Sequence, residues 1–191
     1  MPATLELEEN LDAEYIPEIL PYRYEVIDGQ IVEKPPMSDL SNTIANRLLI
    51  HMGSYTFQEN LGETLMEALV KLPAPVNRNR RPDVCYISYD RWPQEKLVDD
   101  RNNGRDVVPD LAVEVISPSD FGEDLQEKLV EYFSVGVRQV WLIFPRARLL
   151  YIYDSITSVR GFSEADVVEV GTILPGYRFT LRDIFRKHSP A

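Results

Sequence analysis

Residues 109–120, "PDLAVEVISPSD", decide the fold. Leu111, Ala112, Val113, Val115 and Ile116 form a short apolar run, as in a central strand covered on both faces. Ser119 or Asp120 then opens a helical segment, "FGEDLQEKLVEYFSVG". Its Leu125, Leu129, Tyr132 and Phe133 recur at helical spacing, and Gly136 is its stop. The next segment, "RQVWLIF", is again a strand, with Trp141 and Phe144 as core residues. One residue conflicts with this pattern. Glu114 stands inside the apolar run, where an ionised carboxylate is costly unless it is paired or bound to a metal. The plainer alternatives are a strand with one wet face, carrying Ala112, Glu114 and Ile116, or an arginine partner.

Working outward, "YRYEVIDGQIVEKPP" predicts a hairpin around Asp28-Gly29. "SDLSNTIANRLLIHMGSYTFQEN" predicts a helix with Leu40, Ile44, Leu48 and Met52 on its apolar side and Ser38 as its cap. "TLMEALVKL" reads as one strand, "PAPVNRNRRPD" as a loop and "DVCYIS" as a strand. Residues 90–108 are polar and turn-rich, which predicts an exposed loop. "LLYIYD" returns from "RQVWLIF" as a hairpin, and "PGYRFTLRDIF" adds a short strand and a helical turn. The order implies an α/β (α+β) domain, a mixed central sheet flanked by helices. Its expected boundaries are an acidic arm over 1–20, loose or weakly helical, a single domain over 21–187 and a tail over 188–191.

Composition narrows the function. The 191 residues are 44% hydrophobic and 27% charged, the profile of a globular domain. No apolar run is long enough to span a membrane, and the acidic N-terminal stretch is unlike a signal peptide, so a cytoplasmic location is expected. One cysteine and two histidines exclude an internal disulfide and a Cys- or His-rich metal site. A net charge of −11 argues against a broad basic face, although a local basic strip remains compatible with it. There is no G-x-S-x-G elbow and no glycine-rich phosphate loop.

Asp83 follows a proline at the mouth of an apolar strand, as Asp110 does; both also fit plain strand-start aspartates. Lys128 lies one helix downstream of Glu114, at the border of the apolar stripe; its plain alternative is a surface pair with Asp124. Two carboxylates on adjacent strands can hold a hard divalent cation, and a nearby lysine can orient water or offset charge on a phosphate. That set of groups suits metal-assisted phosphodiester hydrolysis.

The pieces "YEVIDGQIVE", "ANRLL", "RRPDVCYIS", "PDLAVEVISPSD", "EKLVEYFSVGVRQVWLIFP" and "LPGYRFTLRDIF" resemble, in order and spacing, the bacterial Uma-type restriction endonuclease family. That family, a domain of unknown function, falls within the PD-(D/E)XK nuclease superfamily, and the resemblance covers about residues 20–187. It implies a restriction-endonuclease-like fold and an Mg²⁺- or Mn²⁺-dependent endonuclease acting on DNA. Asp83 and Glu114 would be the metal ligands and, with Lys128, the catalytic residues. Many superfamily members carry the lysine two residues after the second acid. Here Ile116 stands at that position, and Lys128 on the following helix matches instead. Glu33 is the candidate additional acid, Ser117 and Tyr132 are candidate supporting residues, and Arg78, Arg80 and Arg81 are candidate phosphate contacts. Ser41 stands where relatives often have histidine. A homodimer is expected by analogy with nucleases that cut both strands. The alternative is a nuclease-fold protein that binds nucleic acid or protein without turnover.

Overall fold

The Asp28-Gly29 turn is closed by two residues in the left-handed region, φ 51° and 77°, as a tight two-residue hairpin requires. It joins β2 (Tyr24–Ile27) to β3 (Gln30–Glu33). The computed structural model describes residues 23–98, 104–117 and 122–186, and the backbone of residues 4–6. Those last residues form β1 (Thr4–Glu6), which pairs antiparallel with β3. This corrects the expected loose or helical arm at that point. The rest of the arm, the Ser119 or Asp120 helix start and the tail lie outside the described residues.

After α1 (Asp39–Gln58) the chain forms β4 (Gly62–Met66), β5 (Val70–Leu72), β6 (Arg78–Arg80) and β7 (Val84–Ser88). The expected single strand over residues 64–72 is therefore two strands in different sheets. Glu67 breaks it, with φ 49° turning the backbone out of the extended region. The expected loop after it contains β6, which pairs with β5 and β2. This small sheet runs β1-β3-β2-β6-β5.

The larger sheet runs β11-β10-β9-β8-β7-β4. Its later strands are β8 (Leu111–Val115), β9 (Gln139–Phe144), β10 (Leu149–Ser155) and β11 (Ser158–Ser163). β8 and β9 are parallel, and α2 (Gly122–Ser134) lies in the crossover that such a pair needs. β12 (Val167–Glu169), β13 (Arg178–Thr180) and α3 (Leu181–Phe185) complete the chain, and β11 and β12 carried no sequence expectation.

Alternation along β8 sorts its side chains between two cores. Leu111, Val113 and Val115 pack with Val84, Trp141, Ile143 and the buried stripe of α1. Ala112 packs on the opposite side with Leu129 and Tyr132 of α2. Glu114 shares that second side. Ser38 caps α1 as expected, accepting the Ser41 N–H at 3.2 Å. Leu40, however, is 49% exposed; Ser41 is buried in the stripe that continues through Ile44, Leu48 and Met52.

Gly62 supports this packing at the β4 edge. A Cβ there would lie 2.2 Å from the Ile87 carbonyl oxygen and 2.7 Å from the Ser88 Cα. Both are backbone atoms of a paired strand and cannot rotate away. Gly62→Ala should cost about 3 kcal/mol, lowering the melting midpoint by roughly 6–12 °C. Thermal denaturation followed by circular dichroism checks this; an unchanged midpoint would show that β4 relaxes freely.

Candidate active site

The register of β7 on β8 pairs Val84 with Val113 and Cys85 with Ala112. One step further, it sets Asp83 opposite Glu114. Directly opposed residues have Cβ atoms roughly 4.5–5.5 Å apart on one face, so Asp83, immediately before β7, faces Glu114 of β8, 31 positions away in sequence. Both are buried, at 4% exposure.

Each carboxylate has one oxygen on a fixed donor and the other on a lysine. Asp83 Oδ2 accepts the Val115 backbone N–H at 2.7 Å, and Oδ1 accepts from Lys34 Nζ at 2.7 Å. Glu114 Oε1 accepts from the Tyr132 hydroxyl at 2.9 Å, and Oε2 accepts from Lys128 Nζ at 3.1 Å. Tyr132 and Lys128 are four residues apart on α2, so one helix face presents both to the same acid. The helix laid over the sheet thus brings a lysine to Glu114. Lys128 pairs with Glu114, not with Asp124 in a surface pair.

Glu25 is a further buried acid beside these two. It lies on β2, opposite Arg80 by the register of Val26 on Asn79. It accepts from Arg80 Nη1 at 2.9 Å and from the Arg81 N–H at 2.9 Å, and lies 4.0 Å from Lys128 Nζ. The environments of the two glutamates differ. Burial raises the pKa of Glu114 above the usual range, Asp83 and Glu25 add to the rise, and Lys128 and Lys34 only partly oppose it. Burial acts on Glu25 in the same direction, but Lys128, Arg80, Lys34 and the Arg81 N–H outweigh it and lower its pKa. Burial disfavours a charged Lys128, yet Glu114 and Glu25 hold its pKa above the normal lysine value.

A cavity of about 450 Å³ opens over these groups. Ser41, Ser117 and Glu33 line it. Glu33 is exposed at the end of β3, and the buried acid on this hairpin is Glu25. The three arginines all have protein partners. Arg80 is 3% exposed and held by Glu131 at 2.7 and 2.9 Å as well as by Glu25. Arg80 also lines the cavity. Arg78 pairs with Asp28, Glu127 and Glu131, and Arg81 donates to the carbonyls of Tyr24 and Glu67. Asp110 is structural, accepting the Ser88 N–H at 2.8 Å beside Arg91 and Arg138. Cys85 is fully buried and its thiol is pushed up to about 12, which suits a core residue and not a nucleophile.

Sequence reasoning missed Glu25, Lys34 and Glu131. Glu25 carried the same signal as Glu114, an acid within an apolar strand, in "YEVI". Lys34 and Glu131 carried none: a lysine after a strand and a glutamate on an amphipathic helix read as solvated.

The donor set fits a hard divalent ion. Two facing carboxylates suffice for magnesium, which completes its shell with water and substrate phosphates. Among the described residues no cluster of three or more His, Cys, Asp or Glu forms a self-sufficient protein cage. Also among the described residues, no helix is long and apolar enough to cross a membrane.

The fold is that of a crystal structure described as a "putative nuclease belonging to DUF820" from Anabaena variabilis ATCC 29413. The TM-score is 0.72 at 18% identity, over 85% of this chain and 89% of the other. A chain of a cryo-EM DrdV–DNA complex superposes with a TM-score of 0.36 and 16% identity, over 79% of this chain and 14% of the other. No curated protein matches the sequence. The model of the Uma2 family, described as "Putative restriction endonuclease", matches residues 9–182. That span includes both facing acids and the helix carrying Lys128, and the protein belongs to this family.

Proposed function

We propose that the protein is a divalent-metal-dependent endodeoxyribonuclease that hydrolyses phosphodiester bonds in the cavity over Asp83 and Glu114. The observation that carries this reading is the opposition of these two buried acids with Lys128 at 3.1 Å from one of them. Asp83 and Glu114 would hold the cation, Mg²⁺ or Mn²⁺. When bound, such an ion polarises the scissile phosphate and makes its water more acidic. Lys128 lies at the same acid, where its ammonium can orient the attacking water and offset charge on the phosphate. Tyr132 holds the Glu114 carboxylate in place through its hydroxyl, and Val115 does the same for Asp83 through its backbone N–H. Lys34, Arg80 and Lys128 line the cavity and carry its positive charge, each of them paired with a buried acid. Cutting both strands together would call for a second site, hence a homodimer.

The test is cleavage of supercoiled plasmid and single-stranded DNA with Mg²⁺ or Mn²⁺, against an EDTA control. Nicking that requires metal and falls about 10²-fold in Lys128→Ala is expected, the size of one lost electrostatic stabiliser. Equal nicking by Lys128→Ala would remove the lysine from the mechanism. A folded wild type that cuts neither substrate would favour a second reading, a binding module without turnover. Lysines on the outer oxygens of both acids, and the net charge of −11, speak for that alternative.

A further inference from the structure

Lys34 differs from Lys128 in how it is held. Lys128 projects from the middle of α2 and has two acids within reach, Glu114 at 3.1 Å and Glu25 at 4.0 Å. Lys34 follows β3 in a segment without helix or strand, ahead of Pro35 and Pro36. Its backbone N–H is anchored on the Arg23 carbonyl at 3.0 Å, while its ammonium reaches across to Asp83 Oδ1 and the Arg81 carbonyl, each at 2.7 Å. The other Asp83 oxygen is committed to Val115. Oδ1 is therefore the oxygen that Asp83 can offer to a cation, and Lys34 holds it.

We propose that Lys34 is a built-in competitor for the cation: its ammonium and a divalent ion claim the same oxygen of Asp83, and Lys34 turns into the cavity when the ion binds. The inference rests on the metal-dependent reading above. A divalent ion coordinated at about 2.0–2.1 Å leaves no room for an ammonium on the same lone pair, and like charges that close in a buried site repel strongly. Of the two lysines Lys34 yields, because its stem leaves an irregular segment and Asp83 is the acid that pairs with it. Lys128 keeps Glu25. The released Lys34 ammonium stays tethered at the cavity wall, where it can meet a substrate phosphate.

Calorimetric titration of Mn²⁺ into the full chain tests this. Lys34→Met should bind Mn²⁺ about tenfold more tightly than wild type, the order expected when a like charge near the ion is removed. Equal or weaker binding overturns the proposal, and weaker binding would show that Lys34 serves to hold Asp83 in place. A second measurement needs no variant: pulse acetylation of wild type read by peptide mass spectrometry. Modification of Lys34 should rise several-fold with saturating Mn²⁺; a constant or falling level overturns the proposal even if Lys34→Met does not fold. Failure of wild type to bind Mn²⁺ would overturn the metal-dependent reading as well. Binding with Lys34 unchanged would overturn this inference alone.

Discussion

Glu114→Gln should abolish metal-dependent cleavage, with a fall of about 10³-fold or more, since a bound metal stabilises the transition state by several kcal/mol. The amide keeps the shape of the side chain and can still accept from Tyr132. It lacks the charge that would hold a cation against Asp83. The fold should survive, for a physical reason visible in the wild type. Burial raises the Glu114 pKa despite two nearby lysines, so the folded state favours the neutral form of this group more than water does. A residue selected for stability would be expected to sit in the opposite balance, as Glu25 does. Plasmid cleavage and Mn²⁺ titration, run beside a circular-dichroism melt, check this. A cooperatively melting Glu114→Gln that cleaves like wild type would take Glu114 out of the active site.

Arg80→Ala should produce the largest loss of stability. Arg80 joins β6 to β2 through Glu25 and to α2 through Glu131, and all three side chains are buried. Removing the guanidinium takes from both buried carboxylates their shared partner, leaving Arg78 on Glu131 and the Arg81 N–H and Lys128 near Glu25. Breaking a buried pair in this way costs about 3–5 kcal/mol, which corresponds to a drop of roughly 6–20 °C in melting midpoint. The cause is the stranded acids, more than the lost attraction. Arg80→Met combined with Glu131→Leu should therefore recover much of the loss. Denaturant titration of both variants measures it; a double variant no more stable than Arg80→Ala would show that the ion pairs themselves hold the small sheet against α2. Because Glu25 also lies beside Lys128, Arg80→Ala should weaken cleavage too, by letting Glu25 move.

Much of the fold was legible in the sequence because its signals are local. The Asp28-Gly29 turn, the stripe of Ile44, Leu48 and Met52 and the apolar runs of β8 and β9 each depend on residues within a few positions of one another. Glu114 was legible for the same reason, as an acid whose immediate neighbours are all apolar. The break at Glu67 was not, because it depends on one backbone angle between two strands with compatible side chains. β1 gained its structure from an edge that β3 offers across more than 20 residues of chain.

By itself, then, the sequence determined the mixed sheet, the helix laid over it and the two acids on neighbouring strands. Only the tertiary structure decided how their charges are shared. It brought Lys34 to Asp83, Lys128 to Glu114 and Arg80 to Glu25 and Glu131. It also withdrew Arg80 from the surface where "NRNRRPD" had placed it. The reason is physical: a strand pattern shows which residues are buried, whereas a charge partner is set by register and by the reach of long side chains across elements distant in sequence.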